Sequence, residues 1–298
     1  MELHAHIFRE YDIRGIVGAD LDEDVMYRIG KAYVAYMQGK RTHNKVVLGR
    51  DGRLTGRAFT YALIEGVTSA GMEVIDIGEV PTPLLYFAMN TLEVDGGLML
   101  TASHNSKEFN GLKVGVGKTT IYGEEIQGLR EVAGGGDVPR ATGRVRVTRV
   151  DMAPAYQERI LSDVKLDRKL KVVVDAANGV GGVVAVPLYE QMGCEVIPLY
   201  CEVDGNFPNH HADPTKAENV QDLIDAVKEH QADMGIGFDG DVDRLGGCDE
   251  QGKILWGDRL LALFARSILK DEPGATIIGE VKCSRGTYED IGKHGGNA

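Results

Sequence analysis

Gly97-Leu98-Met99-Leu100-Thr101-Ala102-Ser103-His104-Asn105 is an apolar run that breaks into a short polar loop. Such a run reads as a buried strand, and its loop then stands at the carboxyl end of a sheet, where open α/β folds keep their chemistry. A serine there is a weak nucleophile unless a base or an electrophile activates it. A second apolar strand, Met234-Gly235-Ile236-Gly237-Phe238, runs into Asp239-Gly240-Asp241-Val242-Asp243-Arg244. Three carboxylates at alternate positions repel one another, and a cation that takes hard oxygen ligands, Mg²⁺ or Ca²⁺, relieves them. The two loops together read as a phosphorylatable serine facing a divalent-cation site.

Outward from the serine loop the chain alternates strands and helices. Val46–Asp51 reads as a strand into a polar corner, and Thr55–Ala70 as a helix with Phe59, Leu63 and Val67 on one face. A strand at Met72–Ile77, a helix opened by Pro81-Thr82-Pro83, a strand at Leu112–Val116 and a helix at Gly123–Val132 follow. Ile7–Gly15 reads as an edge strand and turn, with Arg14 in solvent. Gly134-Gly135-Gly136-Asp137-Val138-Pro139 breaks the pattern, Arg144–Val147 reads as a strand, and a domain boundary is expected near residue 150. A second unit has helices at Val150–Val164, Val180–Met192 and Ala217–His230, strands at Lys171–Asp175, Glu195–Leu199 and Met234–Phe238, and a closing hairpin. Beyond Gly257 come a helix (Asp258–Leu269), a strand (Thr276–Val281) and a helix (Thr287–His294). The fold class is α/β: two complete three-layer domains with mixed sheets, at 1–150 and 151–256, and the beginning of a third at 257–298. One strand and two helices bury no two-sided core, so the sequence reads as cut off within that third domain.

Composition narrows the partners. With 298 residues and a net charge of −12, non-specific binding to nucleic acid or an anionic membrane is not expected. The four cysteines are scattered without C-x-x-C spacing, which suits a reducing, cytoplasmic setting rather than a zinc site or disulfide framework. No signal of oligomeric state is present.

Rival motifs fail on spacing. Asp239, Asp241, Asp243 and Glu250 fall at EF-hand positions, but Arg244 stands where that loop needs glycine, and the flanks read as strands. Gly117-Lys118-Thr119 resembles the end of a Walker A loop, yet Leu112 occupies the place of its first glycine. No Gly-x-Ser-x-Gly elbow occurs. Asn178-Gly179-Val180-Gly181-Gly182 lacks dinucleotide spacing and reads as a tight strand-to-helix corner.

Seven segments in order resemble the α-D-phosphohexomutase family, in its bacterial phosphomannomutase/phosphoglucomutase branch. They are Tyr11–Gly15, Gly49–Arg53, Val80–Pro83, Thr101–Asn105, Asn110–Lys113, Asp204–His211 and Asp239–Arg244. The resemblance implies reversible transfer of phosphate between C1 and C6 of mannose or glucose phosphates, through a phosphoserine and a hexose 1,6-bisphosphate. It implies that Ser103 carries the phosphoryl group, and that Asp239, Asp241 and Asp243 bind Mg²⁺ together with an oxygen of that phosphate. Arg14 and Arg244 become cations beside the phosphoryl group, against the solvated reading of Arg14. Lys113 and His104 become general acid/base groups, and Tyr11 and Lys282 line the substrate cleft. Ser106 departs from the proline of many members. The family's sugar-selecting Gly-Glu-x-Ser-Gly loop and fourth domain are not in this sequence, so the expectation is a phosphoryl-transfer half with little turnover alone. Phosphoglucosamine mutase and a non-catalytic fragment are the alternatives.

Overall fold

The computed structural model describes residues 3–135, 138, 141 and 145–298. The breaker cluster at 134–139 and the start of the Arg144–Val147 strand fall partly outside them. After a 3₁₀ turn at Ala5–Ile7, the chain forms β1 (Ile13–Ile16) and α1 (Glu23–Tyr36). Helix α1 went unread in the sequence. Its start is specified by Asp22, whose carboxylate accepts from the Val25 amide at 2.8 Å, and by Glu23 and Asp24 in the first turn. Val25, Met26, Ile29, Ala32 and Tyr33 then bury one stripe of it.

The first sheet continues with β2 (Lys45–Arg50), α2 (Gly56–Ser69), β3 (Glu73–Glu79), α3 (Thr82–Thr91), β4 (Gly96–Leu100) and β5 (Phe109–Val116). The short β6 (Thr119–Thr120), α4 (Glu124–Gly134) and β7 (Val147–Arg149) complete it. Its order is β1-β5-β4-β2-β3-β7, with β6 paired to β5. β2 lies parallel to β3 and β4, β3 parallel to β7, and β5 antiparallel to β1 and β4, so the sheet is mixed. Period-two alternation splits the core between the faces. Val46 and Leu48 of β2, with Leu98 and Leu100 of β4, pack beneath α1, α2 and α4. Val47 and Met99 point the other way, to Leu84, Leu85, Ala88 and Met89 of α3. Burying each such side chain stabilises the fold by about 1.5–3 kcal/mol.

The second unit comprises α5 (Ala153–Asp163), β8 (Lys171–Asp175), α6 (Gly181–Gln191), β9 (Glu195–Leu199), α7 (Gln221–His230), β10 (Met234–Phe238) and β11 (Leu245–Asp249). The sequence-expected helix from Ala217 opens instead with a 3₁₀ turn at Ala217–Val220. Strand order is β11-β10-β8-β9, parallel except for β10–β11. Val173 faces Leu223, Ile224 and Val227 of α7, whereas Val172 and Val174 face Ala185 of α6. Val184 of α6 and Met152 join the α3 cluster, so the two units share an apolar contact.

Helices α8 (Gly257–Asp271) and α9 (Arg285–Lys293) follow, packed through Ala265, Leu269, Ile277 and Ile291. The strand expected at Thr276–Val281 does not form. Thr276 makes one bridge, to Asn297, while Ile278 and Val281 are 87% and 91% exposed. A strand is defined by its ladder, and among the described residues no strand pairs with this segment.

Candidate active site

The carboxyl ends of the two sheets' parallel strands meet. From the first sheet come Asp51 after β2, Thr82 after β3 and the Thr101–Asn105 loop after β4; the second supplies the acidic loop after β10. Approach is close enough to exclude side chains: a Cβ on Gly240 would sit 2.7 Å from the Ser103 carbonyl oxygen, and one on Gly179 would sit 2.7 Å from the Gly240 carbonyl oxygen. Glycine is required at both places by contact rather than by backbone angle.

Ser103 is buried, with φ +51°, a left-handed conformation rare for a residue with a side chain. Its hydroxyl donates to Asp239 Oδ2 at 2.6 Å and lies 3.3 Å from His104 Nδ1. The serine of the first sheet therefore touches the carboxylate cluster of the second.

Asp239 and Asp241 are fully buried, and one oxygen from each of Asp239, Asp241 and Asp243 lies within 4.8 Å of the others. Asp239 Oδ1 accepts from the amides of Asp243 and Arg244, both at 3.1 Å. Asp241 Oδ2 accepts from the Thr82 hydroxyl and the Lys113 ammonium, each at 2.6 Å, and Lys113 also pairs with Asp243. Asp241 Oδ1 is buried with no hydrogen-bond partner. Val242 makes the bend at φ +66°, strained for a β-branched residue.

The charges are unevenly balanced. Burial, and then the neighbouring Asp241 carboxylate, push Asp239 up to about 8. Burial would raise Asp241 as well, but Lys113 beside it prevails and holds it below the ordinary carboxylate value. Lys113 itself would be depressed by burial, yet Asp241 and Asp243 together keep it above its usual value. Burial, followed by the Arg244 charge, holds His104 below the normal imidazole value. An orphaned buried carboxylate oxygen, within a hard-oxygen donor set carrying surplus negative charge, fits a divalent cation.

Arg14 is buried, contrary to its bland sequence reading. It pairs with Asp12 and donates to the Ala102 carbonyl at 3.0 Å and Asn105 Oδ1 at 2.6 Å, leaving Nε unpartnered. Arg244 places its amide in the site and its side chain in solvent. Tyr11 is 73% exposed, next to Asp12. Lys282 sits in the turn that precedes α9, and its ion pair is with Glu280 rather than with either loop. Three residues were given no role at the sequence level: Arg53, Thr82 and Asp51. Each lies in a quoted motif, but none has a spacing that betrays its partner.

Residues 5–132 match the phosphoglucomutase/phosphomannomutase alpha/beta/alpha domain I, and residues 154–252 match domain II. The chain belongs to the phosphoglucomutase/phosphomannomutase family. Within that family it is 50% identical over 294 residues to a phosphomannomutase/phosphoglucomutase of Pseudomonas putida, covering 98% of this chain and 62% of that protein. A phosphoglucomutase of Neisseria gonorrhoeae is 45% identical, over 98% of this chain and 63% of its own length. The crystal structure of a phosphoglucomutase/phosphomannomutase family protein from Burkholderia thailandensis superposes with a TM-score of 0.94 at 42% identity, over 99% of this chain and 66% of the other. The chain thus spans less than two thirds of the length of these relatives. Among the described residues no helix is long and apolar enough to cross a membrane.

Proposed function

We propose that this chain carries the phosphoryl-transfer machinery of a phosphohexomutase, with Ser103 as the residue that is phosphorylated. The observation that carries the reading is the 2.6 Å contact between the Ser103 hydroxyl and Asp239, beside a buried oxygen of Asp241 without a partner. In transfer, a sugar hydroxyl oxygen bonds to phosphorus as the Ser103 Oγ–P bond breaks. The hydroxyl proton passes to His104, whose imidazole is held below its normal value, and the Lys113 ammonium is the acid that returns a proton to Oγ, giving the serine seen here. The reverse step returns the other phosphate of a hexose 1,6-bisphosphate to Ser103, so phosphate moves between C1 and C6 of mannose or glucose phosphates.

Asp239, Asp241 and Asp243 would hold Mg²⁺, which supplies charge neutralisation to the phosphoryl oxygens. Arg14 stiffens the serine loop through Ala102 and Asn105, and Arg244 brings an exposed cation to its rim. Tyr11 and Lys282 are assigned to the sugar-phosphate side of the cleft. Residues 1–150 act as the phosphoserine domain, 151–256 as the metal-loop domain, and 257–298 as part of a sugar-recognition domain. The cysteine pattern suits the cytoplasm.

Mass spectrometry after incubation with glucose 1,6-bisphosphate and Mg²⁺ tests the reading. Phosphate is expected on Ser103 and on no residue of Ser103→Ala. Equal labelling of the Ala variant would refute it.

A further inference from the structure

We propose that Arg53 is a positioning residue of the serine loop, acting on Ser103 through its main chain and touching no reacting atom. Its side chain is 1% exposed. Nη2 donates to the carbonyls of Ser103 at 2.8 Å and Asn105 at 2.7 Å, and Nη1 to those of Ser106 and Phe109, both at 2.8 Å. Nε donates to Asp51 Oδ2 at 3.1 Å. All five guanidinium N–H groups are committed, four of them to one loop.

The bonds close a ring around the serine. Asp51 Oδ2 also accepts the Thr101 hydroxyl at 2.8 Å, and Thr101 Oγ1 accepts the Ser103 amide at 2.8 Å. Both main-chain groups of Ser103 are thereby tied to the Arg53–Asp51 pair. A left-handed φ on a residue with a side chain costs about 1–2 kcal/mol and persists only where its surroundings over-determine it. The ring supplies that constraint. It also sets the direction of Oγ, because the rotation of the two flanking peptides fixes where Cβ points.

The second unit holds the guanidinium in place. The Phe207 ring lies 5.4 Å from it, and a Cβ on Gly205 would meet the Leu54 amide nitrogen at 2.6 Å and the Gly52 carbonyl oxygen at 2.7 Å. Lysine has three donors on one atom and cannot span four carbonyls and a carboxylate, so Arg53→Lys keeps the charge and loses the fork.

The inference rests on the phosphoserine reading for its catalytic consequence, but its structural content is tested separately. In Arg53→Lys, hydrogen exchange across residues 101–109 should quicken about tenfold while residues 171–175 are unchanged. Phosphate transfer to Ser103 from glucose 1,6-bisphosphate should fall about 100-fold, with Mn²⁺ affinity kept within about threefold. Unchanged exchange at 101–109 overturns the proposal, and so does an equal loss of transfer and metal affinity. If Arg53→Lys does not fold, Phe207→Leu keeps the five bonds but uncovers the guanidinium; about a threefold rise confined to 101–109 is expected, and no rise overturns the proposal. Absence of labelling in the unsubstituted chain would defeat the mutase reading, while the exchange result judges Arg53 alone.

Discussion

The serine loop and the acidic loop face each other across the same contact, and their charges are handled in opposite ways. In the first, one buried guanidinium satisfies four carbonyls and a carboxylate, so the loop is complete without a ligand. In the second, one ammonium pairs with two of the three carboxylates, and one buried oxygen has no partner. A finished loop holds a nucleophile still, whereas an unfinished one attracts a cation. Fold stability and site chemistry are thus separated between two loops within hydrogen-bonding distance.

Substitutions that remove this contrast should show it, and the largest effect belongs to Asp241. Asp241→Asn takes away the charge that both Thr82 and Lys113 address. Mn²⁺ affinity by calorimetric titration is expected to fall about 100-fold, with exchange of the serine loop unaltered. A metal affinity equal to that of the unsubstituted chain would place the cation elsewhere.

Thr82→Val keeps the shape of the side chain but deletes the hydroxyl that donates to Asp241 Oδ2. A hydrogen bond to a buried charged group is worth about 1.5–3 kcal/mol, so denaturant unfolding of the metal-free protein should show a loss of about 2 kcal/mol. No loss would mean that Lys113 alone satisfies that oxygen.

Asp239→Asn should act in the opposite direction. Asp239 has its pKa raised in the fold to about 8, so between about pH 4 and pH 8 the native state binds more protons than the unfolded chain. Stability from this group is therefore lost as pH rises through that window. Without metal, the Asn variant should melt a few degrees higher, about 1 kcal/mol, and its advantage should grow from pH 5 to pH 8. A constant or shrinking advantage would show that like-charge crowding is not what strains the loop.

The smallest effect concerns His210, in the segment that backs both loops. Burial disfavours its charged form, but the bond to Asp175, 2.9 Å from Nε2, outweighs this and raises its pKa. A raised histidine stabilises fully below its unfolded pKa and loses that contribution as pH rises through the folded value. His210→Gln should cost under about 1 kcal/mol near pH 5.5 and less at pH 8.5. A cost that grows with pH would reverse the assignment.

Legibility from sequence followed the same division. The acidic loop and Ser103 stand out because apolar strands running into polar corners are local patterns. Arg53 is invisible to such reading: four of its acceptors are main-chain carbonyls fifty or more positions away along the chain, and a carbonyl has no residue identity. Thr82 and Asp241 are separated even further. Helix α1 carries its own local signals, the Asp22 cap and the stripe Val25, Met26, Ile29 and Tyr33, but no site motif falls within it. Thr276–Val281 fails for the converse reason: its composition suits a strand, but strands need partners that local pattern does not supply.

The stacking of Gly179, Gly240 and the Ser103 carbonyl has a mechanical consequence. Side chains that separate two loops can exchange rotamers and let the gap breathe by fractions of an ångström. Main chain pressed on main chain has no such compliance, since bond lengths and peptide planarity are stiff. The spacing between the hydroxyl and the carboxylates is therefore set like a mechanical stop: the halves are either seated at one separation or lifted apart, with little travel between.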